Sequence, residues 1–143
     1  MLPPDFVIAS TLKVGVVYKI KAPELINTTE PHFFVVVAIN NDDNFLIIST
    51  TKLQNKIDYL TKRGFDLNTL AYIRPNDSNG LTKDSYFNCN DYFTLSKQEL
   101  IAKVKEDKLS IAGNFDEDEY NILLNSIDLS EVNDIPKFLL KFS

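Results

Sequence analysis

The fold is decided by residues 33–51, which read FFVVVAINNDDNFLIISTT. Two apolar runs, Phe33 to Ile39 and Phe45 to Thr51, flank a cluster of five Asn and Asp residues. Asn and Asp tolerate the left-handed backbone and form hydrogen bonds within their own turns, so the cluster predicts a hairpin connection. The two runs are therefore expected to pair as antiparallel strands.

Further strands are predicted on both sides of this hairpin. Val14, Val16, Tyr18 and Ile20 alternate along the chain with Gly15, Val17, Lys19 and Lys21, which is typical of a half-buried strand. Downstream, the segments Ser85 to Cys89 and Tyr92 to Leu95 have strand composition, with a bend at Asn90-Asp91 between them. An antiparallel sheet of consecutive strands is the simplest arrangement.

The middle of the chain, residues 54–81, shows no single period. A helical turn near Ile57 to Thr61 is expected to end at Gly64, because glycine commonly terminates helices. Pro75 to Gly80 has the composition of a loop.

The C-terminal third changes from a period of two to a period of about 3.6. Ser96 and Glu99 form a capping box and predict a helix from about Lys97 to Glu106. Asp116 and Glu119 repeat the pattern and predict a second helix. Apolar residues at helical spacing between Ile135 and Phe142 predict a short third helix.

These elements predict a single α+β domain over residues 1–143. We expect a small, strongly bent antiparallel β-barrel over about residues 12–95, followed by two or three C-terminal helices within about residues 96–143.

Composition limits the function classes. The net charge is −5, and only two of the fifteen basic residues, Arg63 and Arg74, are arginines, so broad electrostatic capture of nucleic acid is not expected. Cys89 is the single cysteine, which excludes an intramolecular disulfide, fits a reducing cytoplasm and predicts a small buried side chain. The N-terminus lacks a basic leader, and no apolar run approaches the ~20 residues of a membrane span, so we expect a soluble cytoplasmic protein without a membrane partner.

Motifs for common cofactor chemistry are absent. The sequence has no P-loop, no G-x-G-x-x-G, no G-x-S-x-G and no H-E-x-x-H, and four glycines leave little material for a phosphate cradle. Acidic pairs such as Asp42-Asp43 are explained by turn chemistry. We therefore expect neither a cofactor nor a metal site.

His32 is the only histidine and the one residue expected to titrate near neutrality. It lies where an irregular stretch, Ala22 to Pro31, leads into the apolar run that begins at Phe33. Functional side chains are often placed where a loop meets a rigid element, although a lone histidine is more often a half-buried hydrogen-bonding residue than a catalyst.

Three segments in the first half of the chain resemble the MazF and PemK toxin superfamily, whose fold is an SH3-like barrel. They are VGVVY at residues 14–18, PHFFVVV at residues 31–37 and IISTTK at residues 47–52. The segment DSYF at residues 84–87 is similar to a divergent branch that has Pro-His before the second strand. Two departures are that His32 stands where the superfamily has arginine and that Val16 stands where it has aspartate.

The resemblance implies a metal-independent endoribonuclease, the toxin of a toxin–antitoxin or phage-defence module, with RNA as substrate and an antitoxin protein as partner. On this view His32, Thr50 and Thr51 are catalytic. Arg74, Lys52 and Tyr86 bind the substrate.

Two other interpretations stay open. Because the chain is acidic and lacks the superfamily arginine, it is alternatively a catalytically inert SH3-like module that binds a protein through the loop Ala22 to Pro31. A third interpretation is a structural subunit whose helical tail forms a homodimer.

Overall fold

A computed structural model describes residues 2–142 of the chain, except for the side chains of Leu53 and Asn55. The strands are β1 (Val16–Ile20), β2 (His32–Ile39), β3 (Phe45–Thr51), β4 (Leu70–Ile73), β5 (Ser85–Asn88), β6 (Phe93–Leu95) and β7 (Leu109–Asn114). The helices are α1 (Pro4–Thr11), α2 (Leu53–Arg63), α3 (Lys97–Lys105) and α4 (Glu117–Leu129), with short 3₁₀ turns at Leu67–Thr69 and Lys137–Leu139.

The predicted hairpin is confirmed. Strands β2 and β3 pair antiparallel, with Phe34 opposite Ser49. In the connection, the Asn40 N–H donates to the Asn44 carbonyl at 2.9 Å, and Asp43 adopts a positive φ of 58°. The Asn and Asp residues thus supply the left-handed backbone that the turn requires.

All strand pairings are antiparallel, and the sheet order is β4-β5-β3-β2-β1-β7, with β6 pairing to the first half of β3. This confirms the α+β class. Strand pairing gives an open sheet in the described part of the chain, and barrel closure through a strand ladder stays a prediction.

The loop after β4 bridges the two ends of this open sheet. The Asn114 N–H in β7 donates to the Ser78 carbonyl in that loop at 2.7 Å. The approach is so close that a Cβ added to Gly80 would lie 1.9 Å from the Ala112 carbonyl oxygen, and one added to Gly113 would lie 2.2 Å from the Ser78 carbonyl oxygen. Glycine at both positions therefore permits the backbone contact.

A buried polar cluster fixes the same loop to α4. The Asn79 side chain is fully buried, and its amide donates to the Glu119 carboxylate at 2.7 Å and to the Arg74 carbonyl at 2.8 Å. The Asn76 amide donates to the same carboxylate oxygen at 3.2 Å. These bonds satisfy polar groups that would be costly to bury alone.

Alternation along the strands divides the buried residues into two cores. Val17, Val35 and Ile48 face the core that contains α4, whereas Phe34 and Ile47 face the core that contains α1 and α3. Helices therefore pack on both faces of the sheet, and Cys89 is buried as predicted.

The helix predictions are confirmed at three places. Both capping boxes form, at Ser96 with Glu99 and at Asp116 with Glu119. The helical turn before Gly64 extends into α2, and Gly64 ends it in the left-handed conformation with φ of 73°.

Several predictions for the rest of the chain are wrong. The third helix between Ile135 and Phe142 is only the 3₁₀ turn Lys137–Leu139, because Pro136 disfavours helical backbone at the residue before it. The tail from residue 96 is not entirely helical, since β7 lies between α3 and α4 and pairs with β1. The strands β4 and β7 and the helix α1 were not anticipated.

Candidate functional site

A groove opens where the start of β2, the end of β3 and the start of β5 meet. We call it the His–Thr groove, and its volume is about 150 Å³. Its lining consists of Glu30, Pro31, His32, Phe33, Thr50, Thr51, Lys52, Lys83, Asp84, Ser85 and Tyr86. Antiparallel pairing explains this convergence, because the first residues of β2 and β5 lie beside the last residues of β3, with Thr51 opposite Tyr86.

Five of the six predicted site residues line this groove: His32, Thr50, Thr51, Lys52 and Tyr86. Their common location is a structural finding, whereas their roles stay predictions. Arg74 does not line the groove. It is exposed just after β4, and its carbonyl is held by Asn79 in the loop that crosses β7.

The imidazole of His32 is half-buried, so it is neither enclosed in the core nor free in solvent. Its Nδ1 atom lies 3.1 Å from the carbonyl oxygen of Glu30. Since a carbonyl can only accept, this contact requires a proton on Nδ1 and leaves the lone pair of the neutral ring on Nε2. Nε2 makes no hydrogen bond to the groups that the structure describes, so it is available to a ligand.

The two threonine hydroxyls have different surroundings. The Thr50 hydroxyl accepts a hydrogen bond from the Phe33 N–H at 3.3 Å, which ties the end of β3 to the start of β2. The hydroxyl of Thr51, a half-buried residue, makes no hydrogen bond to the groups that the structure describes. Both hydroxyls can therefore donate to a ligand, since that of Thr50 keeps its bond from Phe33 as an acceptor.

Charge in the groove is balanced. Lys52 and Lys83 supply two cations, and Glu30 and Asp84 supply two carboxylates. None of these four forms an ion pair within the described part of the chain. The groove thus offers individual lysines to an anion but no strong positive field.

A second hollow, of about 250 Å³, shares Thr50 and Thr51 with the His–Thr groove. The loop 22–31 contributes Leu25, Ile26 and Asn27 to its wall. The threonine pair therefore lies between two adjoining depressions, one of which is bounded by the loop that leads to His32.

The sequence did not single out Glu30, Lys83 or Asp84 as site residues. Lys83 and Asp84 reach the groove because β5 pairs with the end of β3, a long-range contact that local patterns do not encode. The acidic Glu30 sits two residues before His32, so its carbonyl contact was the one feature that sequence proximity could have suggested.

The structure also bears on metal binding and on membrane spanning. Within residues 2–142, no group of three or more His, Cys, Asp or Glu side chains is arranged to hold a metal ion. No helix in the same range has the length and apolar character needed to cross a membrane.

No protein-family model matches this sequence, and no curated protein matches it. Among solved structures, the fold is similar to that of a protein described as an endoribonuclease from a mycobacterial species. The TM-score is 0.51 at 14% sequence identity, and the match covers 88% of this chain and 96% of the other. At this identity the likeness concerns the fold alone.

Proposed function

We propose that this protein is an endoribonuclease that cleaves single-stranded RNA in the His–Thr groove without a metal ion. The observation that carries the proposal is the convergence of the only histidine, two threonines and two lysines in one groove of a fold similar to that of an endoribonuclease. The superfamily resemblance of the sequence points in the same direction.

The proposed reaction uses the ribose 2′-hydroxyl as the nucleophile. Nε2 of His32 takes the 2′ proton, the O2′–P bond forms, and the P–O5′ bond breaks as the 5′ oxygen leaves and takes a proton from a water molecule. The products are a 2′,3′-cyclic phosphate and a 5′-hydroxyl end. A positioned general base of this kind contributes typically 10²- to 10⁴-fold to a rate.

Other groove residues have positioning and charge-stabilising roles in this proposal. The Thr51 hydroxyl donates to a phosphate oxygen, and Lys52 and Lys83 offset the negative charge that develops at phosphorus. Thr50 holds the start of β2 in place through Phe33. We assign Arg74 no role in the chemical step, because it lies outside the groove.

Expression in a bacterial host tests the proposal in the cell. The wild-type protein is expected to arrest growth, and His32→Ala is expected to relieve the arrest. Thr29→Ala is the matched control, because Thr29 is exposed in the loop 22–31 and lines neither depression. Normal growth at high wild-type expression, or equal relief by both variants, would count against an endoribonuclease.

We further propose that the protein is the toxin of a toxin–antitoxin module. This requires a small protein, encoded next to it, that binds the chain and suppresses the growth arrest. Co-expression of the neighbouring gene product is the direct test, and arrest that persists beside every neighbour would reject the module assignment.

The balanced charge of the groove favours one competing function, an inert protein-binding module. That function predicts normal growth, together with recovery of one specific protein in a pull-down that depends on the loop 22–31. The growth assay separates the two functions, because an endoribonuclease toxin arrests growth and an inert module does not.

A further inference from the structure

Two tyrosines form an exposed aromatic pair at the edge of the His–Thr groove. Tyr72 on β4 lies opposite Tyr86 on β5, and Tyr86 lies opposite Thr51 on β3. Directly opposed residues project from the same face of a sheet, so the three side chains form one row. The ring centroids of Tyr72 and Tyr86 are 5.2 Å apart with an interplanar angle of 31°.

This row places aromatic surface within one strand spacing of the proposed phosphate contact. Neighbouring strands are about 5 Å apart, so Tyr86 lies close enough to Thr51 for one nucleotide to contact both. Tyr72 is 38% exposed although it is a large aromatic residue, and Tyr86 is half-buried. Both rings therefore reach solvent, and Tyr86 lines the groove itself.

From this geometry we infer that Tyr86, supported by Tyr72, is a stacking platform for one unpaired base of single-stranded RNA, next to the scissile phosphate. The inference rests on the proposed function for the identity of the ligand. Lys52 and Lys83 line the same groove and form no ion pair within residues 2–142, so they are available to the flanking phosphates. A duplex is excluded as the preferred ligand, because its bases are already stacked on one another.

Binding of a strand that cannot be cleaved tests the platform separately from catalysis. The probe is a 5′-fluorescein-labelled, 2′-O-methyl single strand, which lacks the 2′-hydroxyl nucleophile, and the readout is fluorescence anisotropy. Stacking of a base on an aromatic side chain is lost in Tyr86→Leu and Tyr72→Leu. We expect Tyr86→Leu to weaken binding between about fivefold and about a hundredfold, and Tyr72→Leu to weaken it less.

Phenylalanine variants keep the ring and remove only the hydroxyl. Tyr86→Phe and Tyr72→Phe are therefore expected to bind within about twofold of the wild type, and circular dichroism establishes that each variant is folded. Phe138→Leu is the matched control, since it removes an aromatic residue that is 62% exposed in the C-terminal 3₁₀ turn, outside the groove.

Four outcomes would overturn the platform: no binding by the wild type, unchanged binding by Tyr86→Leu, equal loss in the Leu and Phe variants, or equal affinity for the duplex. Failure of the two proposals is distinguishable. RNA cleavage that depends on His32 but not on Tyr86 removes only the platform. Tyrosine-dependent binding without any cleavage removes only the nuclease.

Discussion

Gly80 and Gly64 give a matched pair of substitutions for the contact between the 76–80 loop and β7. Both adopt positive φ, of 70° and 73°, so alanine pays a similar left-handed backbone cost of roughly 1–2 kcal/mol at either position. Their surroundings differ completely. A Cβ on Gly64 has no atom within 4 Å, whereas a Cβ on Gly80 would lie 1.9 Å from the Ala112 carbonyl oxygen.

The clash at Gly80 sets how much more Gly80→Ala destabilises the protein than Gly64→Ala does. Ordinary contact begins near 3.4 Å, so the loop must withdraw from β7, and the 2.7 Å bond from the Asn114 N–H to Ser78 is lost. Overpacking costs about 1–3 kcal/mol and a lost hydrogen bond about 1 kcal/mol. Gly80→Ala should therefore lower the free energy of unfolding by about 2–4 kcal/mol more than Gly64→Ala.

Urea unfolding followed by circular dichroism measures both values. Gly113→Ala provides a second measurement of the same contact, because its Cβ would lie 2.2 Å from the Ser78 carbonyl oxygen without a positive φ. Equal destabilisation by Gly80→Ala and Gly64→Ala would refute the contact. The loop continues to Leu81 and then to Lys83 at the groove, so its displacement is also expected to affect the site.

Three other predictions concern buried groups and helix capping. Burial raises the pKa of the Cys89 thiol to about 12, so a thiol reagent at pH 8 should modify the unfolded chain but not the native protein, and rapid native labelling would contradict this burial. The Tyr120 hydroxyl donates to the Val37 carbonyl at 2.7 Å, and Tyr120→Phe should cost about 1 kcal/mol at pH 8 by urea unfolding. Burial also raises the pKa of the Tyr120 hydroxyl above its ordinary 10.0, so the stability that Tyr120 contributes is complete below pH 10 and falls as the pH rises above 10. The difference in the free energy of unfolding between the wild type and Tyr120→Phe should therefore narrow above pH 10, and a difference that widens there would contradict the raised pKa. Ser96→Ala removes the bond that the Ser96 hydroxyl accepts from the Glu99 N–H at 3.1 Å and should lower stability by about 1 kcal/mol, whereas an unchanged urea midpoint would argue against the cap.

Sequence patterns predicted those elements that are determined by residues close to them in the sequence. The Asn and Asp cluster between the apolar runs encodes the β2–β3 hairpin, and Ser96 with Glu99 encodes the start of α3. In each case the residues that determine the structure are within a few positions of it. The strand β7 has no such signal, because Leu109 is its one buried residue and Ile111 is exposed, so apolar alternation is missing.

The candidate site was predicted to the extent that it lies on the β2–β3 hairpin. His32 and Thr51 follow from the ends of two paired strands, so their convergence was accessible from the sequence. Lys83 and Asp84 come just before β5, whose pairing with β3 joins residues about 35 apart in the sequence. Arg74 was expected beside the phosphate, but the 76–80 loop turns toward β7, and Arg74 does not line the groove.

Identification of the ends of the cleaved RNA tests the central claim most directly. The wild-type protein is incubated with a single-stranded RNA in excess EDTA, and the products are analysed by mass spectrometry. We expect 2′,3′-cyclic phosphate and 5′-hydroxyl ends, with the rate reduced about 10²- to 10⁴-fold in His32→Gln and unchanged in Thr29→Ala. Intact RNA, cleavage only when metal is restored, or equal rates in His32→Gln and the wild type would contradict it.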